Sequence, residues 1–418
     1  MSEATRRRVA ITGIGMVTPL GNSKDETWKG LLANENGVGQ ITLIDTAAFS
    51  VHIGAEVKDF TPEDYLDRKD VKRYDRFVHL ACGAAAMAVE DSGIDLDADD
   101  RTRAGCVLGS GIGGMLSCES LMTGYVERGV KKISPLTVPK IMVNCACGIV
   151  AIQHGLKGVN YAPVTACASG SHSIGLGLRH IQWGEADLMV CGGAEAGICV
   201  LGLGGFSNMG ALSTRNDDPA HASRPFDKDR DGFVLGEGAG VVLLEEWEHA
   251  KARGARIYAE LLGYGFTDDA HHITAPDESA DGPSRAMKLA IRDAGTTPAE
   301  IDYVNPHGTS TPYNDKTETK ALKVALGEER ARAIKVTSSK SMIGHLLGAA
   351  GGVECGVTAL SIHEQRIHGT RNHDNPDPEC DLDYQPNESC ALPIRKALTC
   401  SLGFGGHNAT LCLGRAED

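Results

Sequence analysis

Cys167 lies in the run Thr165–Ser171, between a β-leaning stretch and a helix-compatible stretch. A thiol at the start of a helix meets unpaired backbone N–H groups and the positive end of the helix dipole, and both favour the nucleophilic thiolate. Two later histidines, His307 and His345, are candidates for the acid/base and charge-stabilising groups that such a cysteine needs. Because most buried cysteines only fill a core, the prediction of a nucleophile depends on all three motifs together.

Short apolar runs alternate with longer helix-compatible stretches, which is typical of an α/β protein. A run at residues 9–12 predicts a first buried strand. Further strands are predicted at residues 103–108, 162–165, 188–191, 240–245, 301–305, 334–338, 398–402 and 409–414. Helices are predicted at residues 77–92, 170–182, 284–294, 316–326 and 348–363.

A weak internal repeat divides the chain. A strand leads to Cys167, and a glycine-rich helix and another strand follow. Later in the chain a strand leads to Lys340 and His345, and a helix rich in Gly and Ala and a further strand follow. The repeat predicts two pseudo-equivalent halves, residues 1–257 with the cysteine and 258–418 with the histidines. It also predicts that Cys167 and His345 lie at facing helix starts and that the two small-residue helices pack closely.

Composition narrows the class of protein. The 418-residue chain is 42% hydrophobic and 23% charged, which is the balance of a soluble globular protein. A net charge of −14 argues against a nucleic-acid-binding protein, and no apolar run is long enough for a membrane span. The 13 cysteines include no CxxC pair, so they favour free thiols in a reducing compartment. We therefore expect a cytoplasmic protein, or one of a plastid or mitochondrial matrix after processing.

The chain resembles the β-ketoacyl-[acyl-carrier-protein] synthases of the elongating type, in particular the synthase II branch of the thiolase superfamily. The resemblance runs nearly from end to end. The motifs that carry it are Val9–Gly21, Gly109–Gly114, Thr165–Ser171, Ala211–Arg215, Ser223–Gly238, Asn305–Asp315, Lys340–Glu354 and Gly403–Asn408. It implies a thiolase-like fold, a duplicated αβαβα layered arrangement with two pseudo-equivalent halves.

The resemblance also implies an acyltransferase reaction in two stages. An acyl group first moves from the phosphopantetheine of acyl carrier protein to the thiol of Cys167. Malonyl-[acyl-carrier protein] then loses CO2, and its enolate attacks the thioester in a decarboxylative Claisen condensation. His307 and His345 match the family pair that stabilises the negative charge on the malonyl thioester oxygen. The family uses no cofactor and no metal.

Other site residues follow from the same resemblance. Lys340 matches an electrostatic organiser that holds a histidine neutral or lowers the thiol pKa, and Glu354 is its expected partner. Asp315 matches a supporting acid. Phe404 matches a gate whose backbone N–H is an oxyanion donor. The remaining matches are Ile112, which sets the depth of the acyl pocket, and the pantetheine-binding hydroxyls of Thr274, Thr309 and Thr311.

The implied partners are acyl carrier protein and a second copy of the chain. Carrier proteins are acidic, so a local basic surface would steer docking. The resemblance assigns that surface to Lys69, Lys72, Arg73, Lys131 and Lys132. Three positions depart from the family pattern. Gly210 replaces an arginine that some relatives carry at the docking surface, and His407 replaces a threonine after the loop that carries Phe404. Pro306 precedes His307, where a small residue is common.

Four alternatives stand beside fatty acid elongation. A ketosynthase of a type II polyketide pathway shares the machinery and differs in pocket and partner. A degradative thiolase would carry a second cysteine where this chain has Phe404, and an initiating synthase would pair its cysteine with His and Asn. A non-catalytic chain-length subunit would typically lack the cysteine, which Cys167 argues against.

Overall fold

The computed structural model describes residues 6–417. Ten of its strands form one mixed sheet around which the helices pack. The strands are β1 (Val9–Val17), β2 (Gly39–Gln40), β3 (Ile53–Gly54), β4 (Ala104–Gly109), β5 (Asn160–Tyr161), β6 (Leu188–Ala196), β7 (Glu237–Glu246), β8 (Ala259–Asp268), β9 (Tyr303–Asn305), β10 (Lys335–Val336), β11 (Arg366–Ile367), β12 (Cys390–Ala391), β13 (Lys396–Gly403) and β14 (His407–Gly414).

Fourteen α-helices lie within residues 6–417. They are α1 (Lys24–Leu32), α2 (Arg68–Val71), α3 (Arg76–Ser92), α4 (Met115–Arg128), α5 (Thr137–Ile141), α6 (Cys145–His154), α7 (Ser169–Gln182), α8 (Val200–Asn208), α9 (Trp247–Ala252), α10 (Asp281–Asp293), α11 (Pro312–Leu326), α12 (Glu328–Ala333), α13 (Lys340–Ile343) and α14 (Ala350–Glu364). Within residues 6–417, no helix has the length and apolarity needed to cross a membrane.

The sheet consists of two five-stranded halves with the same internal pattern. Its order is β10-β9-β13-β14-β8-β1-β7-β6-β4-β5. From the centre outward, each half begins with three antiparallel strands and ends with parallel neighbours. The halves join through β1 and β8, where Ala10 lies opposite Glu260 and Ile11 lies opposite Ala259. The predicted duplication is therefore visible in the strand order, while the exact boundary at residue 257 stays a prediction.

Helices pack on both halves of the sheet, and two further helices contact both halves. On the first half, α3 packs on β1 and β7, and α6 packs on β4; on the second half, α10 packs on β8 and β14, with α11 beside it. Between the halves, α7 and α14 contact each other and strands of both. Their contact depends on glycine, because a Cβ atom on Gly170 would lie 2.8 Å from the backbone nitrogen of Gly352 and one on Gly351 would lie 2.2 Å from Ser171 Oγ.

Each central helix begins with the same turn. A 3₁₀ turn over Ala166–Ala168 precedes α7, and one over Leu347–Ala349 precedes α14. Both turns open with a non-glycine residue in the left-handed region, with φ of 49° at Ala166 and at Leu347. We name residues 165–169 the first turn and residues 346–350 the second turn. The residue of the second turn that corresponds to Cys167 is Gly348, so His345 comes just before this turn rather than in the position of the cysteine.

Several sequence-based assignments need correction. Residues 162–165 form no strand, because the backbone N–H of Thr165 donates to Ser169 Oγ inside the first turn. The strand predicted at 334–338 shortens to two residues because the chain then enters α13. Helices α4 and α6 were not predicted: α6 is so rich in apolar residues that it has little amphipathic periodicity.

Candidate active site

Cys167, His307 and His345 meet in one buried cluster, although 140 residues separate the first two in the chain. The sulfur atom and one ring nitrogen of each histidine lie within 4.8 Å of one another. The two imidazole rings are 5.2 Å apart at their centroids and nearly perpendicular. The first turn supplies the cysteine, the loop after β9 supplies His307, and the loop between α13 and the second turn supplies His345. Both halves of the fold therefore contribute to the cluster.

The protonation state of His345 follows from its backbone surroundings. The backbone N–H of Leu347 donates to His345 Nδ1 over 3.3 Å, so this nitrogen carries no proton. Burial, and then the charge of Lys340, hold the pKa of His345 well below its usual value. The ring is therefore neutral, with its proton on Nε2, where it is available as a hydrogen-bond donor.

His307 is held through its backbone by a buried acid that the sequence analysis missed. Glu318 on α11 accepts hydrogen bonds from the backbone N–H of His307 over 2.6 Å and of Gly308 over 2.8 Å. Burial raises the pKa of Glu318 to about 7, against the opposing effect of these two bonds. Burial also lowers the pKa of His307, helped by Lys340 and His345. The signal in the sequence was the spacing of Asp315 and Glu318, which directs both acids to one face of a helix.

Lys340 is the charged centre of the cluster. Its ammonium group pairs with Glu354, and both side chains are 1% exposed. The sequence-predicted partner is thus the one that the fold supplies. The positive charge of Lys340 disfavours the imidazolium form of both histidines.

We expect a Lys340→Met variant to be destabilised by about 3–5 kcal/mol, because it leaves the Glu354 carboxylate buried without its partner. Urea unfolding followed by circular dichroism measures the change. The double variant Lys340→Met/Glu354→Gln removes both charges and should recover most of the lost free energy of unfolding. A single variant as stable as the wild type would contradict the buried ion pair.

The expected thiolate at Cys167 needs correction. Burial raises the pKa of this thiol to about 12, and Glu195 adds to the rise. Lys340 and a hydrogen bond from the Phe404 backbone lower the pKa, but they do not offset burial. The N–H groups at the start of a helix do not compensate for the loss of water around a sulfur anion in a closed site. The resting group is therefore the thiol.

The rate of alkylation of Cys167 by iodoacetamide should accordingly rise throughout the range from pH 7 to 10. Below the pKa, the thiolate fraction grows about tenfold with each pH unit, and a pKa of about 12 leaves no plateau in this range. Peptide mapping at each pH measures modification of this cysteine alone. A plateau near neutral pH would show that a thiolate already exists in the resting protein.

The Phe404 loop closes one side of the cluster. Phe404, Gly405 and Gly406 connect β13 to β14, and both glycines have φ above 80°. The backbone of Phe404 faces the sulfur of Cys167, and its ring lies 6.4 Å from that of Phe206. His407 comes next and lies 3.6 Å from Asp268, with its side chain 40% exposed. This position of the Phe404 N–H suits an oxyanion donor beside the reacting sulfur.

A cavity of about 510 Å³ leads from the surface to the cluster. Ile112, Thr274, Thr309 and Thr311 all line it, together with Phe404 and the three reactive residues. Apolar side chains such as Phe206, Phe233 and Leu347 also line it. The cavity therefore joins an apolar region to a mouth with hydroxyl groups.

Asp315 does not line this cavity. It is fully buried on α11, accepts a hydrogen bond from the backbone N–H of Phe226 over 2.7 Å, and lies 3.6 Å from Arg230 Nε. Burial raises its pKa, which Arg230 and a hydrogen bond from the Thr309 backbone oppose. Asp315 therefore contacts the loop that carries Thr309 and Thr311 from outside the cavity.

Glu195 is a second buried acid that the sequence analysis missed. It is fully buried near the end of β6 and faces the second turn and the loop that carries Ile112. The signal was an acidic residue inside an otherwise apolar strand, a position where a carboxylate needs several donors.

The reactive cluster is also the group of described side chains whose spacing would suit a metal ion. Cys with two His is a ligand set that zinc accepts. Metal-binding imidazoles normally donate their second N–H to an acceptor. Here His307 Nδ1 has no partner within the described residues, and His345 Nδ1 faces the N–H of Leu347. The supporting contacts fit neutral hydrogen-bond donors better than metal ligands.

The predicted docking residues lie on the surface, away from the cluster. The side chains of Lys69, Lys72, Arg73, Lys131 and Lys132 are exposed. Lys140 donates to the backbone carbonyl of Lys72 over 2.8 Å and so ties α5 to the end of α2. Gly210, at the end of α8, lines the cavity mouth and offers no charge there.

The chain is similar to known proteins over its whole length. The N-terminal domain of beta-ketoacyl synthases matches residues 6–250 and their C-terminal domain matches residues 258–374. A 3-oxoacyl-[acyl-carrier-protein] synthase 2 of Synechocystis sp. is 49% identical over 417 residues, which is 100% of both chains.

Two solved structures resemble the whole chain. The ishigamide ketosynthase/chain length factor has a TM-score of 0.93 and 36% identity, covering 99% of this chain and 100% of the other. A type II polyketide ketosynthase, bound to its acyl-carrier protein and to the hexaketide, has a TM-score of 0.92 and 33% identity with the same coverage.

Proposed function

Because this chain belongs to the beta-ketoacyl synthase family, we propose that it condenses an acyl-enzyme thioester with malonyl-[acyl-carrier protein]. The products are 3-oxoacyl-[acyl-carrier protein] and CO2. The observation that carries the proposal is the buried cluster of one thiol and two neutral imidazoles beside a buried ammonium group. Those groups supply what the two stages of the reaction need.

The first stage moves the acyl group to Cys167. The sulfur attacks the thioester carbonyl of the acyl carrier, a new carbon–sulfur bond forms, and the bond to the pantetheine sulfur breaks. The thiol proton leaves with the pantetheine thiol, so no charge remains in the closed site. The N–H groups of Cys167 and Phe404 stabilise the oxyanion of the tetrahedral intermediate.

The second stage releases CO2 from the malonyl group. The electrons of the broken carbon–carbon bond form an enolate, whose negative oxygen accepts hydrogen bonds from His307 and from His345 Nε2. The enolate carbon attacks the acyl thioester, and the sulfur of Cys167 leaves and regains a proton. Lys340 keeps both imidazoles neutral, so that they act as donors rather than titrate.

The comparisons favour fatty acid elongation over a polyketide pathway. The synthase 2 relative shares 49% of its residues, whereas the ishigamide ketosynthase/chain length factor shares 36% and the type II polyketide ketosynthase shares 33%. The polyketide alternative stays open because the machinery is the same and the pocket decides the substrate.

Intact mass after incubation with acyl carrier proteins loaded with C6 to C18 chains tests the proposal. We expect a stable acyl adduct that peptide mapping assigns to Cys167, strongest around C12 to C16. Product analysis after adding malonyl-[acyl-carrier protein] should then give the 3-oxoacyl chain two carbons longer. Absence of acylation by every fatty acyl carrier would exclude elongation and favour the polyketide alternative.

Docking of the carrier protein is assigned to the basic surface formed by Lys69, Lys72, Arg73, Lys131 and Lys132. Its exposed cations contrast with the net charge of −14 of the chain and complement an acidic partner. A polyketide ketosynthase of the same fold binds an acyl-carrier protein, which supports the same partner class here.

Charge reversal of two of these residues, Lys69→Glu/Lys72→Glu, should raise KM for acyl carrier protein roughly tenfold. KM for the same acyl group on free pantetheine should not change, because the cavity is untouched. Steady-state kinetics at low and high salt measure both values. Lys288→Glu, an exposed charge reversal on α10, is the matched control, and an equal rise in that variant would contradict the assigned surface.

A homodimer is proposed from an apolar face. Eight large apolar side chains between residues 122 and 142 are exposed, and the edge strand β5 lies in the same half. Patches of this kind commonly mark protein interfaces. Lys131 and Lys132 lie in the same segment, so the docking surface adjoins this face.

Sedimentation should give twice the 44.1 kDa chain mass, and Val126→Glu/Val138→Glu should give a monomer. A monomeric wild type would overturn the proposal.

A further inference from the structure

Glu195 connects three parts of the molecule through one carboxylate. Its Oε1 accepts hydrogen bonds from Ser110 Oγ over 2.6 Å and from the backbone N–H of Ile112 over 3.3 Å. Its Oε2 accepts from the backbone N–H of Gly111 over 2.6 Å and of Gly348 over 3.0 Å. The side chain is completely buried. Neither stage of the proposed reaction gives this residue a role.

The four partners favour an ionised carboxylate. Three of them are backbone N–H groups, which donate and cannot accept, so a protonated acid could place its hydrogen only on Ser110 Oγ. Ser110 Oγ already accepts from the backbone N–H of Gly113 over 3.0 Å. Burial raises the pKa of Glu195 above its usual value, and the four hydrogen bonds oppose this rise without cancelling it. The arrangement of the donors therefore favours the anion.

The carboxylate accepts a hydrogen bond from one backbone N–H of the second turn, that of Gly348. The N–H of Gly348 is the counterpart of the N–H of Cys167 in the first turn. At the first turn, Gly403 at the end of β13 packs against the backbone of Cys167, and a Cβ on Gly403 would lie 3.3 Å from that nitrogen. At the second turn, Glu195 at the end of β6 takes the equivalent place. The N–H of Cys167 in the first turn stays available for the substrate, whereas the N–H of Gly348 in the second turn is bonded to a side chain.

Through these bonds Glu195 holds Ile112, in the wall of the cavity, close to the second turn that follows His345. Ile112 and Leu347 both line the cavity, and their side chains face each other across Gly197, where a Cβ would lie 3.4 Å and 3.1 Å from their respective Cδ1 atoms. Leu347 also donates to His345 Nδ1. The bond from Ile112 is the longest of the four.

We propose that Glu195 is a positioning residue that fixes Ile112 relative to the second turn and thereby sets the selection of acyl chain length. The proposal rests on the proposed condensing function. Its physical basis is that a charged acceptor with three fixed backbone donors holds a pocket wall more rigidly than apolar packing does.

Glu195→Gln tests the proposal with a minimal change. At the position of Oε2, the amide NH₂ of the glutamine would face only N–H donors. The NH₂ must therefore turn toward Ser110 Oγ, which can accept. The backbone N–H of Ile112 then loses its acceptor. We expect the spread of kcat/KM across C6 to C18 acyl carriers to narrow by about tenfold. Glu237→Gln is the matched control: Glu237 is a fully buried carboxylate on β7 that bonds Arg76 and the backbone of Val57, away from the cavity.

A double-mutant cycle with Ile112→Ala distinguishes positioning from a general structural role. If Glu195 acts through Ile112, adding Glu195→Gln to Ile112→Ala should leave the chain-length profile unchanged. Equal loss of kcat/KM at every chain length, in parallel with a lower Tm, would overturn the proposal, as would a wild-type profile in a folded Glu195→Gln protein. If that variant does not fold, Ser110→Ala removes one donor and should narrow the spread in the same direction.

The outcome also separates this inference from the function on which it rests. A wild-type protein that accepts no acyl group in the mass assay refutes the condensing function, and the role of Glu195 falls with it. A wild-type protein that elongates acyl chains, together with a Glu195→Gln variant whose profile is unchanged, refutes only the role of Glu195.

Discussion

Replacing Cys167 by serine should reduce condensation by at least about 10³-fold. A serine hydroxyl is far less acidic than a thiol, and the cluster offers no base to activate it, because His345 Nδ1 already accepts from Leu347 and Lys340 disfavours protonation of both rings. The assay is formation of 3-oxoacyl-[acyl-carrier protein], read beside intact mass for the acyl-enzyme.

A matched variant shows whether loss of any thiol has this effect. Cys118 on α4 is partly exposed and lies outside the cavity. Cys118→Ser should keep wild-type turnover and the acyl adduct. Turnover of Cys167→Ser within a few fold of the wild type would mean that another residue accepts the acyl group.

Replacing His307 by alanine should separate the two stages. The variant should still load an acyl group on Cys167, because the first stage uses the donors near the sulfur. Release of CO2 from malonyl-[acyl-carrier protein] should fall about 10²- to 10³-fold, since one of two donors to the enolate oxygen is lost. Labelled CO2 release and intact mass, measured on the same sample, report the stages independently.

A conservative variant keeps this test specific. His307→Asn retains an N–H donor near the same place and should decarboxylate faster than His307→Ala. Loss of acyl loading with decarboxylation intact would reverse the assigned role. Equal decarboxylation by both variants would indicate that the ring acts by filling space rather than by donating a hydrogen bond.

The sequence predicted the family, the fold class and the condensing function, and the comparisons confirm these predictions. The residues that made this possible are chemically distinctive. Cys167, His307 and His345 stand in short motifs whose order along the chain limits the alternatives. The structure brings all three into one cluster, although their individual roles stay predictions.

The supporting acids could not be predicted in the same way. Glu318 acts on His307 and Gly308 through backbone N–H groups, and Glu195 reaches Gly348 across 153 residues of chain. Any sequence offers backbone donors at nearly every position, so no motif marks where a carboxylate will meet them. Glu318 meets its donors through the fold of the second half, and Glu195 meets Gly348 only because the two halves approach each other.

The state of the thiol was mispredicted for a related reason. The local pattern around Cys167 indicated a helix start, which is what the structure contains. The amount of water excluded from the sulfur depends instead on Phe404, Leu347 and the rest of the cavity wall, which come from distant parts of the chain. A helix start and a closed pocket act in opposite directions on the pKa, and sequence reasoning had access to only one of them.

The matching turns before α7 and α14 bear on how the strain at the nucleophile should be understood. A non-glycine residue held at φ 49° stores roughly 1–3 kcal/mol, and at Ala166, next to the thiol, such strain invites a catalytic explanation. Leu347 carries the same value of φ beside Gly348, which has no side chain to activate. The strain therefore belongs to the architecture that turns a chain from a strand into a central helix. The nucleophile therefore lies on a bend that the fold forms whether or not a reactive residue follows it.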